Sequence, residues 1–232
     1  MVETLPLFPL GTVLLPGASL PLHIFEPRYR QLVVDLVTGA VPDRTFGVVA
    51  IRPGHDVAPS GAVAAIDGVG LHGVGCSAVL QEAKRLPDGR FDVLTSGARR
   101  FRLLSVDTTS AQYLIGTVEY MPDAEPAEDS DELLPFLAAE ARAAHRHYCA
   151  TAWRGQQWTE PGSDVDPQTL SHLLAADCLL ALEDRQSLLE STCPARRLRL
   201  IRQVLRREAG FLRELRAVPV PFSQFAAEPS RN

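Results

Sequence analysis

Lys84 is the only lysine among the 23 basic residues of this 232-residue chain, so any reaction that needs an amine nucleophile or base has one candidate. No Gly-Lys pair occurs, which removes the phosphate-cradling loop whose lysine reaches nucleotide phosphates. A Gly-x-Ser-x-Gly elbow for serine hydrolysis is also missing. Gly68, Gly70 and Gly73 satisfy the spacing of a dinucleotide fingerprint, but that motif works only between a strand and a helix, and Val74 onward reads as a strand. His145 and Cys149, four residues apart, share one face of a helix while His147 points elsewhere. Two ligands are too few for a closed zinc site. No catalytic, cofactor-binding or metal-ligating residue is therefore expected.

The remaining candidate is electrostatic. Arg196, Arg197, Arg199, Arg202, Arg206, Arg207, Arg213 and Arg216 face only Glu208 and Glu214 between residues 196 and 217. Such a stretch could meet RNA or an acidic partner through Arg202, Arg206 and Arg207. The blander possibility is a solvated helix face neutralised by acidic neighbours. The whole chain carries −5, and Phe211 is the one aromatic residue in the stretch. Nucleic-acid binders usually show a basic balance and stacking aromatics, so that partner is not expected.

The elements that must position these residues fall into two halves. Up to about Met121 the apolar pattern suits strands: Thr45 to Ile51, Val74 to Leu80, Phe91 to Thr95, Arg99 to Val106 and Tyr113 to Tyr120. Leu86-Pro87-Asp88-Gly89-Arg90 is a hairpin signal. One helix interrupts the strands, opening at Glu26-Pro27, stopping at Gly39 and burying Tyr29, Leu32, Val33 and Leu36. Residues Leu5 to Phe25 lack Asp, Glu, Lys and Arg, yet Pro6, Pro9, Pro16 and Pro21 recur too densely for a membrane helix. The acidic, proline-bearing stretch Pro122 to Glu132 reads as a linker. Beyond it the pattern predicts helices near 131–154, 167–181, 183–192 and 194–217. The start of the chain lacks a basic leader, and no CxxC joins Cys76, Cys149, Cys178 and Cys193, which fits reduced thiols in a cytoplasmic protein.

Four stretches occur in the order characteristic of one family. Leu5-Pro6-Leu7-Phe8-Pro9-Leu10 precedes Leu14-Leu15-Pro16-Gly17, and Leu20-Pro21-Leu22-His23-Ile24-Phe25-Glu26-Pro27-Arg28-Tyr29-Arg30 follows. Then come Leu71 to Val79, and last Leu86-Pro87-Asp88-Gly89 with Gly97-Ala98-Arg99-Arg100-Phe101. Together they resemble the N-terminal, substrate-binding domain of Lon proteases, and the run from Leu20 to Arg30 closely resembles the signature of free-standing Lon-domain proteins. Leu182 to Glu190 is similar to a helical stretch of the same family, with Arg185 standing where lysine is usual, on a face expected to be solvated.

The resemblance covers Leu5 to about Ala217 and implies an α+β fold. Its first part is a PUA-like β pseudo-barrel with one inserted helix over residues 1–122. A helical bundle follows over 123–218, then a tail over 219–232. It also implies a binding module rather than an enzyme. Lon's peptidase needs a serine activated by lysine, and Lys84 sits just before a hairpin. The implied clients are unfolded or extended polypeptides, with a separate protease or chaperone as a possible partner and no membrane. Signature residues offered as a binding surface are Phe25, Glu26, Arg28, Tyr29, Arg30 and Arg100, although corner packing explains most of that motif. The groove between barrel and bundle is the expected location for a client.

Overall fold

A computed structural model describes residues 2–54, 63–64, 70–124, 132–153 and 158–215. Seven strands lie in one sheet among the described residues: β1 (Val2–Leu10), β2 (Ser19–Ile24), β3 (Thr45–Ala50), β4 (Val63–Ala64), β5 (Val74–Arg85), β6 (Phe91–Asp107) and β7 (Ile115–Tyr120). Strand β1 pairs parallel with β3 and antiparallel with β7. Strand β5 joins β3 to β6, and β6 in turn pairs with β7. That series of pairings returns to its start, so five strands close on themselves while β2 hangs on the first half of β6.

The closed ring is narrow, and its inward positions show it. Leu5, Leu7, Val49, Phe101, Leu103 and Val118 fill the interior. A methyl group on Gly75 would lie 2.6 Å from the Val48 carbonyl oxygen and the Phe101 ring. Small residues opposite large ones are how a tight barrel reaches native packing density.

Two strands expected at 91–95 and 99–106 are one continuous element, β6. Gly97 is not a break. It is the point where β6 passes against the Leu15 backbone, since an added Cβ would fall 2.2 Å from that carbonyl oxygen. Buried Phe91, Val93 and Thr95 alternate with less buried neighbours before it; after it exposed Ala98 and Arg99 are followed by buried Arg100 and Phe101, opposite the register shift between Cys76 and Ala78.

The helices follow the capping chemistry of the sequence. α1 (Pro27–Thr38) begins after extended Glu26 with proline at its first position and ends at Gly39, whose φ of 83° is the left-handed conformation glycine adopts without strain. α2 (Leu134–Ala152), α3 (Pro167–Ala176), α4 (Leu182–Glu190) and α5 (Pro194–Leu215) form the helical half. Asp166 caps α3 by accepting the Gln168 N–H at 2.9 Å. Helix α3 stops five residues short of expectation, and Arg185 explains the stop. Its guanidinium donates to the carbonyls of Ala176 (3.1 Å) and Cys178 (2.7 Å), satisfying orphan acceptors at the helix end. Arg185 is therefore buried and not on a solvated face. A lysine offers one point charge there instead of a planar fork reaching two carbonyls.

The fold is α+β, as the sequence indicates. Buried residues of β1, β2, β3, β5, β6, α1 and the four later helices belong to one continuous cluster, with the barrel interior as a second. The halves are also joined by ions. Asp123 accepts from Arg100 of β6 and from Arg197 of α5, the latter through two bonds of 2.7 and 2.6 Å. Both guanidinia also donate to the Ser191 carbonyl, at 2.5 and 2.9 Å. Of the expected linker, residues 125–131 lie outside the described residues, as does the tail 219–232.

Candidate functional site

The signature run turns a corner, and the corner divides its residues by role. Strand β2 ends at buried Ile24, Phe25 projects outward at 62% exposure, and α1 starts two residues later. Tyr29 goes inward and stacks on Phe8 with ring centroids 4.1 Å apart. Burial raises the pKa of its phenol. Glu26 and Arg28 hold each other at 2.7 Å, and the Arg28 guanidinium lies 4.7 Å from the Tyr29 ring centre. Glu26, Arg28 and Tyr29 thus build the corner, which leaves Phe25 and Arg30 for its outer side.

With Tyr29, Leu32, Val33 and Leu36 buried, helical periodicity turns Pro27, Arg30, Gln31, Val34 and Val37 outward. Val34 and Val37, on that stripe, are 39% and 48% exposed. Beside that stripe stands the β5–β6 hairpin. Its turn is closed by Leu86 N–H to the Arg90 carbonyl (2.8 Å) and Gly89 N–H to the Leu86 carbonyl (3.0 Å), with Gly89 at φ 82°. Asp88 and Arg90 pair across the turn at 2.6 Å.

Between helix and hairpin lies an open hollow of about 320 Å³, lined by Pro27, Arg30, Gln31, Val34, Arg85, Gly89 and Phe91. That size takes a side chain or two rather than a dinucleotide. The junction of barrel and bundle, the expected location, is instead occupied by buried Arg100 and Arg197 and the partly exposed Asp123 between them. Gln186 adds a 3.1 Å bond there to the Val74 carbonyl. Arg100, 4% exposed and committed to Asp123, Leu189 and Ser191, is not on the surface.

The sequence reading did not include Gln31, Val34, Arg85, Gly89 or Phe91. Two exposed valines at the 34 and 37 positions of an otherwise polar stripe were the available signal. Nothing in the sequence brings Gly89 to Arg30, 59 positions earlier.

The other candidates resolve as follows. Arg202 pairs with Glu140 of α2, and Arg207 with Asp184 of α4 and with Glu208 at 2.8 Å. Arg197 is fully buried, so of the trio at 202, 206 and 207 only Arg206 stands exposed without an ion pair among the described residues. His145 and Cys149 are both 3% exposed, with Sγ 3.5 Å from Nε2, while His147 faces solvent. A thiol so enclosed meets no substrate. Among the described residues no group of three or more His, Cys, Asp or Glu could hold a metal ion. The glycine run leads directly into strand β5, so no helix N-terminus faces a phosphate there; Gly68 and Val69 lie outside the described residues. Lys84 is an exposed residue of β5. Among the described residues no helix is long and apolar enough to cross a membrane.

A family model described as the ATP-dependent protease La (LON) substrate-binding domain matches residues 4–207. Lon protease 1 of Thermus thermophilus is 29% identical over 211 residues, covering 88% of this chain and 24% of its own length. Lon protease 1 of Herpetosiphon aurantiacus is 25% identical over 212 residues, covering 91% of this chain and 25% of its own. The chain thus spans about a quarter of the length of these relatives. A Lon N-terminal domain protein from Xanthomonas campestris superimposes with a TM-score of 0.55 at 25% identity, covering 94% of this chain and 99% of that one. The N-terminal domain of Mycobacterium avium complex Lon protease gives a TM-score of 0.60 at 18% identity, covering 88% and 98%, and shares the fold.

Proposed function

Since the chain belongs to the family of ATP-dependent protease La (LON) substrate-binding domains, we propose that it is a non-catalytic module that captures extended polypeptide segments. Capture takes place on the corner formed by Phe25, the outward stripe of α1 and the β5–β6 hairpin. The observation that carries this reading is that Phe25, Val34 and Val37 are exposed along the corner and the outward stripe of α1, with Val34 lining an open hollow beside apolar Pro27 and Phe91. An extended chain offers scattered apolar side chains, and an apolar patch rimmed by polar groups is the surface that gains by covering them. In this reading the module is a cytoplasmic adaptor that hands its client to a separate protease or chaperone, because the nucleophile and base brought together at Cys149 and His145 are buried away from any client. The paired state of Arg202 and Arg207 supports a polypeptide client over a nucleic acid.

The purified protein is expected to hydrolyse neither ATP nor casein. Turnover that follows the protein through successive columns would refute its non-catalytic character. Binding is tested with a fluorescent, reduced and carboxymethylated unfolded protein in an anisotropy titration. Changing Phe25, Val34 and Val37 together to serine should weaken binding by at least about tenfold, since central apolar contacts dominate such interfaces. The melting temperature should barely move, because all three side chains are substantially exposed. Unchanged affinity in that variant, or affinity abolished by Arg202→Gln, Arg206→Gln and Arg207→Gln, would move the site away from this corner.

A further inference from the structure

The face built by α1 and the hairpin carries an uneven set of charges. Its carboxylates are already engaged. Glu26 is held by Arg28 at 2.7 Å and Asp88 by Arg90 at 2.6 Å. Asp35 accepts from Gln31 at 2.7 Å and from the Tyr113 hydroxyl at 2.8 Å. Glu82, Lys84 and Asp92 belong to the opposite face of the hairpin by strand alternation, with Asp92 bonded there to His23 at 2.7 Å.

Arg30 and Arg85 are what remains. Both line the hollow, and neither has a carboxylate within ion-pair distance among the described residues. The Arg30 guanidinium lies across the hairpin turn, its Nη2 3.1 Å from where a side chain on Gly89 would begin. Gly89 therefore does two things: it adopts the positive φ of the turn, and it leaves room for that guanidinium. Two uncompensated cations thus share a hollow with apolar Pro27, Val34 and Phe91, in a space sized for a side chain or two.

We propose that this hollow is a carboxylate subsite, in which Arg30 and Arg85 hold an aspartate or glutamate side chain of an otherwise apolar, extended client. The inference rests on the capture reading above and adds to it a sequence preference. Guanidinium forks match carboxylates by charge-assisted hydrogen bonds, and opposite charge across an interface fixes register more than it adds raw affinity. The apolar flank of Phe25, Val34 and Val37 selects a polypeptide over a free anion, since it rewards apolar neighbours on either side of the acid. An open hollow suits an internal side chain of a passing segment.

The test uses acetylated and amidated twelve-residue apolar peptides that differ only in a central Glu or Gln, titrated by fluorescence anisotropy. The wild-type protein should bind the Glu peptide about tenfold tighter than the Gln peptide, and raised salt should narrow the gap. The double variant Arg30→Gln, Arg85→Gln should bind both peptides as the wild type binds the Gln peptide. Equal wild-type affinities for the two peptides would overturn the subsite while leaving capture intact. A preference that survives in the double variant would overturn its location. A Gln peptide with a free terminal carboxylate that matches the Glu peptide would transfer the subsite to chain ends. A short oligonucleotide that displaces the Glu peptide from the wild type but not from the double variant would make it a phosphate site. Failure of every peptide to bind would end the capture reading and the subsite with it.

Discussion

Replacing Asp123 with alanine is expected to remove about 3–5 kcal/mol of folding stability, the largest effect of any single substitution considered in this chain. The physical reason is the number of buried cations that depend on one carboxylate. Arg197 is fully buried and Arg100 is 4% exposed, and both direct their guanidinia at Asp123. Once the carboxylate is gone, two desolvated positive charges face each other with only neutral acceptors for company, the carbonyls of Ser191, Leu189 and Gln168 and the Ser171 hydroxyl. An uncompensated buried charge costs several kcal/mol, against a total stability of roughly 5–15 kcal/mol for an ordinary domain. Urea denaturation monitored by circular dichroism gives the difference directly. Asp123→Asn should cost less, since the amide oxygen still accepts one of the bonds. Combining Asp123→Ala with Arg100→Met and Arg197→Met should recover much of the loss, because a well-packed apolar cluster has no charge to compensate. A loss below about 1 kcal/mol in the alanine variant would show that water reaches the arginines and that the knot is only a surface pair.

Acidification is the second large effect, and it passes through His172. Burial, followed by the neighbouring guanidinia of Arg197 and Arg100, pushes the imidazole pKa down to about 3. Its Nε2 meets no partner among the described residues, consistent with a ring held neutral. In the unfolded chain the same ring titrates near 6.5. Below pH 6.5 the unfolded state therefore gains a proton that the folded state refuses, and stability falls as pH falls toward 3. Between pH 7.5 and pH 5 this one group should cost about 2 kcal/mol. His172→Gln is neutral throughout, so its stability should decline less over that interval. Carboxylates titrate alike in both proteins, and the difference between the two pH profiles isolates the histidine. Parallel profiles would show that the folded state admits the proton.

Most of the architecture is local in origin and was legible. Glu26-Pro27 and Gly39 fix the ends of α1 through backbone conformations that few other residues supply, and Pro167 and Pro194 start helices where they were expected to. The Asp88-Gly89 pair sets the hairpin, and strand alternation sets which face is buried. The eleven residues from Leu20 to Arg30 identify the family. The same residues identify a site poorly, because Tyr29, Glu26 and Arg28 are needed to turn the corner.

What remained illegible depends on residues distant along the chain. Gly97 reads as a break in a strand until the Leu15 carbonyl is found against it. Arg185, Arg100 and Arg197 read as surface charges, because arginine is usually exposed. Their burial depends on carbonyls and a carboxylate brought from other elements. Residue types and spacing thus determined the elements and their caps. Only the tertiary structure decided which charges are neutralised and which are left over. An ion pair depends on distance through space, and the chain brings Arg30 to Gly89 and Asp123 to Arg197 only by folding.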